Sequence, residues 1–350
     1  MEFFRSLGSA AGEFNFKASN TAADVFPLSK GDECEIWIDD NKVMTGFTNS
    51  IGGYSDPETT EIRLRGRDKV QDLVDSYIKS DIDFKTSVDI LTMFKRVLGS
   101  LGITGINVKM QQGLTVRRFS KSELASAKIG DNAFEFLQKF CRMRQLLITS
   151  NSDGDVILTR AGSGKYTTIL KKEIGGTENN ILRSDFEDND ASRFREYIVI
   201  SQGNPIDQLF NDSTVSKKSL AQDLNIRAGR IMVINSDISS DLQTNSDRAK
   251  WESNIRRVKG FQYNCRIRGF YLDAKSTVLI EPNNLIQVID ERFGIDAELL
   301  IKSCRYIKSL DGTFTDISLV NKDAFTLEEQ QKGIESKFNK KDDIFSQLGL

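Results

Sequence analysis

The stretch Ala161-Gly162-Ser163-Gly164-Lys165-Tyr166-Thr167 is the nearest approach in this sequence to a phosphate-binding loop. Such a loop needs a glycine at its head and a Ser or Thr directly after the lysine, so that amides, ammonium and hydroxyl converge on phosphate and its metal. Thr159 stands at the head position and Tyr166 follows the lysine. No helical pattern comes next to aim an N-terminus at an anion, so the stretch reads as a polar turn between strands. A second stretch, Ile255 to Tyr271, interleaves five basic residues with four aromatics. That pattern could stack bases and track phosphates; the simpler reading is a helix end followed by a strand with a basic polar face. The acidic pairs Asp39-Asp40, Glu187-Asp188 and Asp342-Asp343 show no spacing that singles out two carboxylates for glycoside hydrolysis. Asp185 to Asp190 lacks the central glycine of a calcium loop.

The chain contains no histidine. Ser-His-Asp and Cys-His nucleophiles and His-based zinc chemistry are therefore impossible, and any acid–base catalysis would fall to carboxylates, Lys, Tyr or Cys. The four cysteines, Cys34, Cys141, Cys265 and Cys304, form no CxxC pair and read as buried thiols. The sequence assigns no catalytic residue, no cofactor-binding residue, no metal ligand and no cofactor.

The elements that position these residues follow from composition and period. At 350 residues, 39% of them apolar and 28% charged, the chain suits a soluble protein of two to four domains. Its 48 basic and 50 acidic residues nearly cancel, which weighs against a dedicated nucleic-acid binder. The N-terminus has no signal-peptide pattern and no run approaches the ~18 apolar residues of a membrane helix, so the chain reads as cytoplasmic when made. Alternation predicts strands at residues 33–38, 42–48 and 61–65, with turns at Asp39-Asp40-Asn41 and Gly52 to Pro57. The period changes at Asp68: residues 69–78 and 87–101 are expected to be helices, and a third is expected from about Asp131. Residues 146–149 and 156–159 flank an Asp-Gly turn and predict a hairpin. Strands return from about residue 165, Tyr197 to Ile200 being the clearest, with one helix near 247–258. The charged stretch from about Thr326 is expected to be a tail that orders on a partner.

Two segments look alike. Pro27 to Asp68 and Pro282 to Asp323 have equal length, contain Ile36-Trp37-Ile38-Asp39 and Gln287-Val288-Ile289-Asp290 with a small register shift, and close on strands that end in Asp. Read as a duplication, they give one chain two similar β-barrels separated by an insert. Three such chains would then build a ring of near six-fold character from three-fold symmetry.

From residue 123 onward the sequence resembles the baseplate hub proteins of contractile-tailed phages, the Mu-like tail hub group, similar in shape to the T4-like hub. The residues that carry the resemblance are Gly130-Asp131-Asn132-Ala133-Phe134, Leu158-Thr159-Arg160-Ala161, Ser192-Arg193-Phe194, Arg248-Ala249-Lys250-Trp251-Glu252, Gly269-Phe270-Tyr271, Glu281-Pro282-Asn283 and Glu298 to Ile301. Thr45-Gly46-Phe47, Gly66-Arg67-Asp68 and Asp72 to Asp75 also fit, so the likeness covers roughly residues 25–325.

The resemblance implies an α+β, mainly β chain with two similar β-barrel domains and an inserted α+β domain, forming a homotrimeric pseudo-six-fold ring. Its segments would be 1–80 (first barrel and following helix), 81–175 (insert), 176–325 (a strand-rich region, with the second barrel from about 225) and 326–350 (tail). It implies a non-enzymatic part of the virion tail baseplate, assembled in the host cytoplasm. Its partners would be the tail tube protein, the central spike protein, other baseplate proteins and DNA in transit, without membrane insertion. The alternatives are the hub of a phage-derived injection particle and, behind it, a tail-associated cell-wall hydrolase using two carboxylates.

Overall fold

The computed structural model describes residues 1–7, 9–19, 28–57, 60–201, 217–236, 242–272 and 278–321. It opens with five strands, β1 (Glu2–Ser6), β2 (Glu13–Ser19), β3 (Glu33–Ile38), β4 (Asn41–Ser55) and β5 (Thr60–Asp68). Phe3, Phe14, Ile36, Ile38 and Leu64 occupy alternate positions and are buried on one face, while Lys17, Arg63 and Arg65 face out. β1 and β2 were not expected from the sequence, although Phe14-Asn15-Phe16 alternates.

The chain then leaves the sheet. It builds α1 (Gln71–Val74), α2 (Ile90–Leu101), β6 (Val108–Met110), α3 (Ala133–Met143), β7 (Leu147–Ser150) and β8 (Val156–Thr159). The helix expected over 69–78 stops after one turn. The backbone of the following residues goes to the approach to α3: Ile78 N donates to Asp131 O and Ala133 N to Ser76 O. Long-range pairing thus overrides the local period. α2 starts where Asp89 accepts from Thr92 N and ends at Gly102, whose φ of 78° suits glycine. α3 starts on Asn132, which accepts from Glu135 N. Val70, Leu73, Phe94, Val97, Phe119, Leu137, Phe140 and Leu158 close a core within this region.

The remaining elements are β9 (Gly164–Lys172), β10 (Ile181–Asp188), β11 (Glu196–Ser201), β12 (Lys217–Gln222), β13 (Ile231–Ser236), α4 (Leu242–Gly260), β14 (Phe261–Arg268), β15 (Asn284–Asp290), β16 (Ile295–Ser309) and β17 (Gly312–Asn321). β11, β12 and β13 form a small sheet on which α4 packs through Ala249, burying Tyr197, Val199 and Ala221. The others join the first five strands in one sheet, ordered β10-β14-β17-β16-β1-β2-β5-β4-β3, with β15 on β16 and β9 on β15. The fold is mainly β, as expected. The tail from residue 326 lies outside the described residues.

The resemblance between the two segments is present as topology. β2, β3, β4 and β5 lie in the order β2-β5-β4-β3, and β14, β15, β16 and β17 lie in the order β14-β17-β16-β15. In each unit the longest strand is interrupted by a bulge after three ladder pairs, at Asn49 and at Lys302. This aligns Gly66 with Leu319 and Asp68 with Asn321, an offset of 253 positions. β1 flanks β2 as β10 flanks β14. The sequence comparison pairs Asp68 with Asp323, an offset of 255, so the ladders move that pairing by two positions. A further bulge, between Ile36 and Trp37, has no counterpart in β15.

Candidate functional site

The joint between the two units is β1. Its residues Glu2 to Ser6 pair antiparallel with Ile307 to Ser303 of β16, while its other edge pairs with β2. Phe3 stacks on Tyr306 with ring centroids 4.1 Å apart, and Phe270 meets both edge-on. The Tyr306 hydroxyl donates to Ile280 O. Both units therefore share one apolar core, from Phe3, Phe14 and Met44 to Tyr263, Ile286 and Leu319.

Beside the joint lies a polar node that ties in the insert. Arg5 donates from Nη1 to Glu281 Oε1 at 2.8 Å and from Nη2 to Ser150 O at 2.7 Å. Asp68, at the end of β5, is buried. Its Oδ2 accepts from Gly12 N at 2.7 Å and Ser150 Oγ at 2.5 Å, and its Oδ1 accepts from Val70 N at 3.1 Å. Burial pushes the Asp68 carboxyl up to about 6, against the pull of the Ser150 hydroxyl, the Gly12 amide and the Arg5 charge. A cleft of about 320 Å³ opens here, lined by Arg5, Lys42, Gln111, Ser150, Glu281 and Asn283 among others. Its polar groups are occupied by one another, which is the chemistry of a fastening.

The glycine-lysine turn proves to be part of the same fastening. Gly162 N donates to Asn283 Oδ1 at 2.8 Å and Ser163 N to Asn283 O at 2.9 Å. Asn283 Nδ2 in turn donates to Thr159 Oγ1 and Arg160 O. The amides that would cradle a phosphate are already used, and Lys165 pairs with Glu298.

The basic–aromatic stretch is likewise built into the core. Tyr263 is fully buried and donates to Asp290 Oδ2 at 2.7 Å, and Phe270 packs against Phe3 and Tyr306. Arg266 is held by Asp316 through Nε at 2.6 Å and Nη2 at 2.7 Å. Tyr271 donates to Asp39. A platform for stacking bases needs open rings; Tyr263 and Phe270 do not supply them. Cys141, Cys265 and Cys304 are buried free thiols whose ionisation burial makes harder; Cys34 is half-buried. Among the described residues no group of three or more His, Cys, Asp or Glu side chains is placed to hold a metal. Among them, too, no helix is long and apolar enough to cross a membrane.

The face of the large sheet opposite the core runs across both units. Several of its cations stand beside carboxylates: Arg305 with Glu2, Arg63 and Lys17 with Glu61, Arg266 with Asp316. A shallow depression of about 400 Å³ on the sheet at the joint is lined by Glu2, Phe4, Glu13, Asn15, Arg65 and Arg305 among others. Sequence reasoning found neither this face nor the node, because the face joins β1 to β16 about 300 positions away and the node joins Arg5 to Ser150 and Glu281, 145 and 276 positions away.

These features define a mainly β fold with a doubled strand unit joined edge to edge and an α+β insert pinned at the joint. Three family models match the chain in order. They are the N-terminal domain of Mu phage baseplate assembly protein GpP-like proteins at residues 1–68, the second domain of baseplate hub protein gp44-like proteins at 70–160, and the fourth domain of Mu phage baseplate assembly protein GpP at 242–328. The chain is a homologue of baseplate hub protein gp44 of Escherichia phage Mu, 28% identical over 336 residues that span 92% of this chain and 83% of gp44. The crystal structure of a 43 kDa tail protein from prophage MuSo2 of Shewanella oneidensis superposes with a TM-score of 0.75 at 23% identity, covering 93% of this chain and 94% of that one. An E. coli component of the type VI secretion system, described as structurally similar to T4 tail proteins gp27 and gp5, superposes at 0.55 and 9% identity, covering 91% of this chain and 72% of that one.

The matched motifs acquire structural reasons. At Gly46 an added Cβ would lie 2.1 Å from Arg67 O, and at Gly66 it would lie 2.3 Å from the Phe14 ring. Arg193 donates to buried Asp223. Trp251 receives Arg142 and Arg248 over its ring.

Proposed function

We propose that this chain is a structural baseplate hub of a Mu-like contractile tail. In this reading it acts as a homotrimer whose six strand units form a ring between the six-fold tail tube and the three-fold central spike. The observation that carries the reading is the doubling of the unit within one chain, with β1 as the joint. A chain with two equivalent units turns three-fold symmetry into near six-fold symmetry without breaking either. Each unit closes as a barrel, residues 1–80, 81–175, 176–325 and 326–350 serve as first barrel, insert, second strand-rich region and tail, and other baseplate proteins grip the outside.

DNA passes through the ring during ejection, and the charge-paired sheet face lines that passage. Arginines neutralised by neighbouring carboxylates hold few phosphates, so DNA slides without being retained. The protein resides in the virion tail, is assembled in the host cytoplasm and performs no catalysis. Light scattering at several concentrations tests the reading: a mass near three times the 39.4 kDa chain is expected. A chain that stays monomeric and ignores both tube and spike proteins sinks it. The likeness to a secretion-system component supports a second reading, a hub of a phage-derived injection particle; a particle isolated without packaged DNA would favour it.

A further inference from the structure

The small sheet is apolar on both faces. Tyr197 and Val199 of β11 and Ala221 of β12 pack with Ala249 of α4, and all four are buried. Strand residues alternate between faces. Ile198 and Ile200 of β11, Leu220 of β12, and Ile231 and Val233 of β13 therefore share the face turned away from α4. The ladders make them neighbours, with Ile198 directly between Leu220 and Val233. Leu220, Ile231 and Val233 are 50%, 52% and 55% exposed, and Ile198 and Ile200 are partly buried. Five adjoining apolar side chains differ from the single exposed leucines of an ordinary surface and mark a docking place.

The chain itself brings an occupant to this spot. β17, the last described strand, ends at Asn321. β14 and β17 pair antiparallel as far as Tyr263 and Leu319, so two residues further on Asn321 reaches the level of Phe261, the residue that follows α4. Arg193, three residues before β11, lies against Gly260 at the end of α4. Residues 322–350 thus leave the large sheet beside the end of the small sheet where Glu196 pairs with Ile231.

That segment has a helical period. Ile334, Phe338, Phe345 and Leu348 fall on one stripe, while Glu335, Asn339, Asp342 and Ser346 repeat with the same spacing beside it. Lys341 falls on the stripe as well; its stem can lie along an apolar face while its ammonium reaches water. A helix from Ile334 to Leu348 is about 21 Å long, and a strand of six residues such as β11 or β13 is about 20 Å long. The stripe therefore fits the length of the face. The chain from Asn321 to Ile334 can span about 45 Å when extended, enough to round the end of the sheet.

We propose that residues 334–348 dock as an amphipathic helix on the Ile198–Leu220–Val233 face of the same chain. The small sheet then carries α4 on one side and the tail on the other, a layering that buries a sheet apolar on both faces. The seat joins two features that the hub reading leaves unused, an uncovered apolar face and an apolar stripe on a charged segment. It needs only one chain and stands apart from the ring reading.

Hydrogen exchange of the full chain, read by mass spectrometry, tests the seat. Amides of residues 334–348 are expected to exchange at least about tenfold more slowly in the unaltered protein than in Leu220→Asp with Val233→Asp. Both positions are exposed, so this variant keeps its fold, and unchanged protection of α4 and β14 verifies that. Phe338→Asp with Phe345→Asp is expected to lose the same protection. Phe338→p-benzoylphenylalanine then locates the tail after irradiation. A crosslink to β11, β12 or β13 that leaves a single-chain band on a denaturing gel supports the seat. A two-chain band puts the tail on a second copy, and a crosslink to any other element puts it elsewhere; either result overturns the proposal. Tail amides that exchange at the rate of a free peptide in the unaltered protein overturn it too.

Discussion

Asp68 shows how much a single carboxyl can carry in this molecule. It is buried at the meeting point of β1, β5 and β7 and accepts three hydrogen bonds. Its folded-state pKa of about 6 lies above the ordinary 3.8, so the fold favours the protonated form. The contribution of this group is fully present below about pH 4 and is lost as pH rises through about 6, a difference on the order of 2–3 kcal/mol. Urea unfolding at a series of pH values should show this downward slope between pH 4 and 6.5, and Asp68→Asn should flatten it. An unchanged slope in the variant would assign the titration elsewhere. A second buried carboxyl is held in an ion pair. Glu123 accepts from Arg144 at 2.7 Å, both are buried, and the guanidinium lies 4.1 Å over Phe119. Glu123→Ala leaves that guanidinium without its carboxylate and should cost about 3–5 kcal/mol in the same assay. Replacing both partners by apolar residues should recover most of the loss.

At the scale of elements, close approach of strands decides the sequence at a few positions. Gly66 lies under the Phe14 ring and against Phe47 O, so Gly66→Ala forces the β2·β5·β4 ladder apart. A loss of about 1–3 kcal/mol is expected, and chemical denaturation reads it directly. Truncating Phe14 as well should relieve the clash while opening a cavity, so the double variant should lose less than the two single losses added together. The helices of the insert obey local rules for the most part: Asp89 and Asn132 cap α2 and α3 as their residue types suggest. The stretch after α1 does not, because Ile78 and Ser76 find backbone partners near α3 that a second helical turn would forfeit.

For the whole molecule, what matters is the face that the joined units present together. The pairs Arg305–Glu2, Arg63–Glu61 and Arg266–Asp316 cancel charge along it. On the proposed reading, neutralising the acids in one chain, Glu2→Gln with Glu61→Gln and Asp316→Asn, should give the protein a DNA affinity that falls steeply with salt. Filter binding of a short duplex across a salt series measures this. If the variant gains no salt-dependent affinity, the proposal that this face lines a DNA passage fails.

Much of this architecture was legible before any coordinates. Absence of histidine excluded whole reaction classes, alternation over residues 33–38 gave a strand with those bounds, and the likeness of two segments pointed to a doubled unit, two positions out of the register that the ladders show. These are local or countable properties, and periodicity reports them. β1 was not legible, although it is the joint, because a five-residue strand flanked by turns carries too short a period to stand out and its partner β16 lies about 300 positions away. The polar node was hidden for the same reason: Arg5, Asp68, Ser150 and Glu281 are unremarkable singly and meet only in the fold. The sequence by itself determined the class of the elements and the repetition of the unit. The tertiary structure alone decided which strands meet across the joint, since strand edges are satisfied by backbone groups that every residue but proline carries alike.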